Sequence, residues 1–234
     1  MNFFERAELL IGKDKVNSLK NKRVAVFGVG GVGGFAVEAL ARSGVGEIHI
    51  FDGDTVDESN INRQIIALTS TVGQDKVKVL EERLKQINPE VKLTAKKIFF
   101  MPENSNEIPF GDYDYVVDAV DTVTAKIEII KKAKENSVPV ITCMGTGGKL
   151  DPLSLRIADI SKTSVCPLAR VMRKELKDRG LTNVLALYSI EEPVKPKVDS
   201  TIKGKKIAQP SMIFVPASAG LLIAKQVVID LINK

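Results

Sequence analysis

The chain has 234 residues, 44% hydrophobic and 27% charged, with a net charge of +5; those proportions belong to a globular chain large enough to bury a core, not to a disordered or fibrous one. Its two cysteines, Cys143 and Cys166, form no CxxC, which argues against a disulfide scaffold and excludes a four-cysteine zinc site within one chain. The mild basic balance permits an anionic partner without demanding one.

Glu5, Arg6 and Glu8 interrupt the apolar character of the first ten residues, so no signal peptide is expected there and the expected location is cytoplasmic. Residues 3–20 read as two short helices broken at Gly12. Arg23 to Phe27 is a short apolar run, a buried strand. A glycine loop follows, then a helix from about Val32 to Ser43, closed by Gly44 and Gly46. "EIHIF" is a second strand. Val77, Leu80, Leu84 and Ile87 recur at helical spacing and predict a helix over 73–87, ended by Pro89. "VKLTA" and "YDYVVDAV" are further strands, "TAKIEIIKKAKEN" a helix and "VPVITCM" a fifth strand. This alternation predicts an α/β fold, a Rossmann-like doubly wound, mostly parallel sheet covered on both faces.

Past Gly148 the pattern changes. "LSLRIADI" and "NVLALYSI" read as strands, with a basic helix over 164–179 between them. They are expected to extend the sheet with antiparallel strands and to cross over the nucleotide site. Residues 193–209 hold five lysines, two prolines and a glycine and read as a mobile surface loop. The last helix is predicted from about Ser218 to Ile232. Met212 to Ile232 is the most apolar region, but Pro216, Lys225, Gln226 and Asp230 interrupt it, so a buried or dimer-facing helix is expected and no integral membrane segment. One domain over 1–234 is expected: N-terminal helices (1–22), a nucleotide-binding core (23–150) and a substrate-side or dimer extension (151–234).

Gly28, Gly30 and Gly33 match G-x-G-x-x-G between a strand and a helix, with Gly31 between them. Such glycines allow a tight turn and close backbone approach, and the helix N-terminus offers N–H groups to an anion. Asp52, nineteen residues after Gly33, can accept hydrogen bonds from ribose hydroxyls. Thus far an NAD-dependent oxidoreductase fits. Asp54, Asn60, Asn62, Arg63, Gln64 and Lys76 then follow. An arginine and a lysine aimed at the site suit a nucleoside triphosphate, whose β- and γ-phosphates they neutralise, while Asp121 at the end of the fourth strand can hold Mg2+.

"GVGGVG", "FDGDTVDESNINRQ", "VGQDKVK", "INPEV" and "VDAVDT" resemble the E1-like (ThiF/MoeB/HesA) activating enzymes, which use ATP to adenylate a carboxylate and release pyrophosphate. The resemblance implies that Asp52 binds ribose, that Asn60, Arg63 and Lys76 bind phosphates with Gln64 in support, and that Asp121 binds Mg2+. Gly28, Gly30, Gly31, Gly33 and Asp54 complete the ATP site. Arg6, in "ERAELLIG", matches an arginine that reaches the partner subunit's ATP, which implies a homodimer. "NRQIIAL", the run from "GTGGKLDP" through "KDRG", "ALYSIEEPV" and "FVPASAGLLIAKQVV" resemble one subfamily, the tRNA threonylcarbamoyladenosine dehydratases. These adenylate the threonylcarbamoyl carboxylate of a tRNA adenosine and close it into a ring with loss of AMP. The alternative is adenylation of the C-terminal glycine of a ubiquitin-like sulfur carrier, with that protein or a sulfur-transfer protein as partner; relatives of that kind commonly hold zinc in two CxxC pairs, which this chain lacks. A non-catalytic nucleotide sensor is a further reading.

A tRNA partner would find basic side chains at Arg170, Arg173, Lys174, Lys177 and Arg179 on the 164–179 helix, and at Lys195, Lys197, Lys203, Lys205 and Lys206 in the loop. No aromatic interleaving marks a base-stacking platform. Cys166 is read as structural before catalytic, Cys143 as core, and His49 as a packed strand residue. Lys126 is open between a phosphate contact and a surface position.

Overall fold

The computed structural model describes residues 3–194 and 209–233. Helices α1 (Glu5–Ile11) and α2 (Lys13–Leu19) lead into β1 (Arg23–Phe27), α3 (Gly33–Arg42), β2 (Glu47–Asp52), α4 (Lys76–Ile87) and β3 (Lys92–Lys97). β4 (Tyr115–Asp118), α5 (Val123–Glu135) and β5 (Val140–Cys143) follow, then β6 (Leu155–Asp159), α6 (Pro167–Asp178), β7 (Leu185–Ser189) and α7 (Phe214–Ile232). The strands form one seven-stranded sheet in the order β3-β2-β1-β4-β5-β7-β6. Every neighbouring pair is parallel except β6–β7, which is antiparallel. The expected antiparallel extension is thus the β6–β7 pair, with β7 itself joining β5 in parallel.

Side chains alternate across β1. Val24 and Val26 enter one core with α3, α4 and α7; Ala25 and Phe27 enter the other with α5 and α6. Phe27 stacks on Phe51 and Phe110 and meets Phe100 edge-on, filling the second core beneath the loops that carry the site. The edge strand β3 carries Lys92, Lys96 and Lys97, which discourage pairing with another chain.

Several boundaries differ from expectation for local reasons. α4 begins at Lys76, three residues late, because Gly73 takes φ +86° and Thr55 bridges Asp75. β4 stops at Asp118, where the chain turns toward α5. α6 begins at Pro167, whose missing N–H costs nothing in a first turn. α7 starts at Phe214, ahead of Ser218, because Pro216 is tolerated in the first turn for the same reason. At 19 residues α7 is long and apolar enough to cross a membrane. In this structure it packs on α3: an added Cβ at Gly220 would stand 2.4 Å from Val32 O. Asp230 on α7 accepts a 2.8 Å hydrogen bond from the Tyr115 hydroxyl.

Candidate active site

The carboxyl ends of β1, β2 and β4 meet where a doubly wound sheet places its ligands. Gly28 closes β1 with φ +83°, and an added Cβ there would stand 2.7 Å from Ala119 O. A Cβ on Gly33 would stand 1.8 Å from Gly28 O, so the loop can turn into α3 only with glycine at both positions. Gly30 and Gly31 are different: no protein atom comes within 3.4 Å of a Cβ there. Their neighbours are Gln64 for Gly30, and Pro216 of α7 and Arg63 for Gly31.

Asp52 ends β2 with its carboxylate turned to this loop. Oδ2 accepts from Val29 N and Oδ1 from Asp54 N, both at 2.8 Å, which fixes the glycine loop against β2. The next turn is set by Asp57 and Asn60. Asp57 accepts from Ser59 N at 2.8 Å, and Asn60 Oδ1 accepts from Asp57 N at 3.1 Å. The Ser59 hydroxyl and backbone bonds, set against slight desolvation, hold the Asp57 carboxyl below its usual range. Asn60 therefore shapes the loop that carries Arg63. The Arg63 guanidinium donates to Ser59 O at 2.7 Å and to Asn62 Oδ1 at 3.0 Å, and forms no ion pair among the described residues. Gln64 is buried, faces Gly30, and its Oε1 has no hydrogen-bond partner among the described residues. A buried acceptor left unpaired is costly unless a ligand donor meets it.

Lys76 opens α4 and is buried, its ammonium 2.8 Å from Asp54 Oδ2. The two sequence-predicted residues are thus brought together, with the lysine's charge balanced by the aspartate. Asp121 is exposed in the turn after β4, and its carboxylate accepts a 3.4 Å hydrogen bond from the Thr122 hydroxyl. Among the described residues no three His, Cys, Asp or Glu side chains converge as a metal cage. Arg6 lies apart, exposed on α1, a helix with no buried residue.

The structure places four further residues that the sequence left open, read otherwise or did not single out. Lys126 is neither a surface residue nor exposed to the site: it is fully buried, 2.9 Å from Asp118 Oδ2. Its place was legible, since Ile130 and Ala133, four and seven residues on, share its helix face and are buried too. Phe99 is 67% exposed, yet its ring lies on Gly53, where an added Cβ would come within 2.4 Å of Cγ. It supplies an aromatic face beside Asp52 that no sequence periodicity announces. On α6, Arg173 is withdrawn from the expected basic surface: it donates to Thr163 O at 2.7 Å and to the Thr163 hydroxyl. Arg179 on the same surface pairs with Glu175 at 2.7 Å. The five loop lysines lie outside the described residues.

The remaining candidates are packed. Burial pushes the Cys143 thiol up to about 12, so it holds its proton. Cys166 is buried at the N-cap of α6. His49 lies between Tyr113 OH (3.1 Å) and Glu47 Oε1 (2.9 Å).

A glycine loop against an acid-tipped β2, with an arginine and an exposed aspartate on adjacent loops, defines a nucleotide-binding α/β protein of the Rossmann-like kind. Its family follows from the match of residues 4–229 to the family model: the chain belongs to the ThiF family. It is 45% identical to the tRNA threonylcarbamoyladenosine dehydratase of Bacillus subtilis (strain 168), covering 98% of this chain and 94% of that one. The Escherichia coli (strain K12) protein of the same name is 38% identical over 84% of this chain and 76% of its own length. The crystal structure of the E. coli dehydratase TcdA in complex with ATP superposes with a TM-score of 0.89 at 33% identity, covering 98% of this chain and 93% of that one.

Proposed function

We propose that the chain is an ATP-dependent tRNA threonylcarbamoyladenosine dehydratase, built as one adenylation domain across 1–234. The observation that carries the reading is near full-length likeness to proteins of that name, joined to a glycine loop, Asp52, Arg63 and Asp121 at the carboxyl ends of β1, β2 and β4. In this reading Asp52 takes the ribose and the backbone at Gly30 and Gly31 lies along the phosphates. Gln64 accepts a hydrogen bond from the nucleotide. Arg63 and Lys76 neutralise phosphate charge, Lys76 being shared with Asp54, and Asn60 keeps the Arg63 loop in shape. Phe99 offers a face to the adenine.

A carboxylate and ATP repel one another, so the protein's task is neutralisation and in-line placement. A carboxylate oxygen of the threonylcarbamoyl group attacks the α-phosphorus, and the α–β bridging bond breaks to release pyrophosphate. An atom of the same substituent then attacks the acyl carbon, gives up its proton and expels AMP, for a net loss of water. Neither step needs a protein nucleophile, in keeping with the protonated Cys143. Mg2+ held by Asp121 would draw charge from the phosphate oxygens.

The basic surface for tRNA is Arg170, Lys174 and Lys177, exposed on one face of α6. A homodimer with Arg6 reaching the partner's ATP is supported by exposed apolar side chains at Leu9 and Leu10 on α1 and at Met212, Ile213 and Phe214. The setting is the cytoplasm, where the tRNA substrate resides.

The test uses tRNA bearing linear threonylcarbamoyladenosine, purified protein and Mg-ATP, with the tRNA digested to nucleosides and weighed. A nucleoside lighter by one water, with AMP formed in step, is the expected result. Bound ATP with no change in the nucleoside would overturn the tRNA assignment and leave a protein C-terminal carboxylate as the substrate to try.

A further inference from the structure

Asp118 and Lys126 are both fully buried, 2.9 Å apart, at the carboxyl end of β4 and the first turn of α5. The Thr142 hydroxyl on β5 donates to Asp118 Oδ2. The pair does more than satisfy itself. Asp118 Oδ1 accepts from Val120 N at 3.2 Å, and Lys126 Nζ donates to Val120 O at 3.0 Å. Both backbone polar groups of Val120 are therefore held by the two members of one ion pair. Val120 is the residue before Asp121, and the backbone of Ala119 and Val120 is what Gly28 packs against. Ala119 N donates in turn to Phe27 O at 2.8 Å, tying the same turn to β1.

A buried ion pair is a poor way to add stability, because desolvating both charges offsets their attraction; its best-attested use is to impose one geometry. Here the geometry imposed is that of the turn between β4 and α5. We propose that the Asp118–Lys126 pair is a positioning clamp for ATP, locking the Val120 backbone so that the Asp121 carboxylate and the Gly28 end of the phosphate loop keep a fixed separation. The proposal rests on the reading of Asp121 as the Mg2+ carboxylate. Neither clamp residue touches nucleotide; each acts through the backbone of Val120.

The test measures ATP affinity by calorimetry, once with Mg2+ and once with EDTA, for the parent, for Asp121→Ala and for the double variant Asp118→Leu/Lys126→Met. The double variant removes both Val120 bonds without leaving a buried charge unpaired, and its thermal melt reports whether the fold survives. The expected result is a melt that stays cooperative while the affinity gained from Mg2+ falls roughly tenfold or more, as in Asp121→Ala, the loss usual for groups that hold a metal's ligand in place. A folded double variant that keeps the parent's Mg2+ gain while Asp121→Ala loses it would overturn the clamp and leave the site reading standing. If Asp121→Ala keeps the gain, or the parent shows none, the reading of Asp121 is what fails, and the clamp falls with it. Should the double variant not fold, Asp118→Asn/Lys126→Met removes the Lys126 bond to Val120 O without leaving a buried charge, and the same ratio decides the question.

Discussion

Phe99 lies on Gly53 because the backbone there has no side chain to hold it off, and Asn104 Nδ2 donates to Phe99 O at 2.8 Å to keep that segment in place. Gly53 has an ordinary φ, so its lack of a Cβ is explained by the ring and not by the turn. Stacking of a base on an aromatic face contributes about 1–3 kcal/mol, so Phe99→Ala should weaken ATP binding by that amount while Phe99→Tyr retains it. Gly53→Ala should weaken binding too, because its methyl would displace a ring it does not chemically alter. Equilibrium titration with ATP checks both; unchanged affinity in both variants would remove the ring from the site. Where Asp52, Arg63, Gln64 and Asp121 lie was legible, because each follows the glycine strand in the order that a doubly wound sheet brings to its carboxyl ends. Phe99 was not, since its place arises from a contact between two strands' ends that no spacing encodes. Lys126 lay between these cases: its helix face was readable, its aspartate partner was not.

Among the elements, α3 and α4 are joined by one carboxylate. Glu38 Oε1 is 2.8 Å from Arg42 on its own helix, and Oε2 is 2.6 Å from Arg83 on α4. Burial raises the Glu38 pKa, but the Arg83 and Arg42 hydrogen bonds and charges outweigh it, and the net shift is downward. A carboxyl depressed in the folded state stabilises fully above its unfolded value and loses that contribution as pH falls toward the folded one. Glu38→Gln should therefore cost about 1–3 kcal/mol at neutral pH by removing two charge-assisted bonds from a buried group. The gap between parent and variant melting temperatures should close below about pH 4. A gap independent of pH would mean that the glutamate acts through packing alone. The α3–α4 register was hidden in the sequence for the same reason as the Lys126 partner: Glu38 sits in an apolar helix, and nothing local says that Arg83, 45 residues away, answers it.

At the scale of the whole molecule, the strand–helix alternation made the parallel core readable through β5, because a parallel connection needs a crossover and the sequence supplies a helix for each but that from β3 to β4, which short 3-10 turns make. The order beyond β5 was not readable. β7 reaches β5 across two intervening elements and β6 turns back on β7, a choice fixed by which apolar faces α6 and α7 cover. That arrangement sets α6 on the α5 side of the sheet with Met172 and Leu176 buried and Arg170, Lys174 and Lys177 outward. With Arg173 turned to Thr163 and Arg179 paired with Glu175 at the surface, these three are the α6 cations with no ion pair among the described residues. A side chain that neutralises one phosphate adds about one unit to the salt slope of tRNA binding. Arg170→Glu/Lys174→Glu should therefore lower that slope by about two and weaken binding at low salt. ATP affinity should stay that of the parent, since neither residue lies at the carboxyl ends of β1, β2 and β4. Turnover should recover at high tRNA concentration, because the substitutions remove docking and leave the adenylating residues in place. A binding curve with the parent's salt slope would move the tRNA path off α6 altogether.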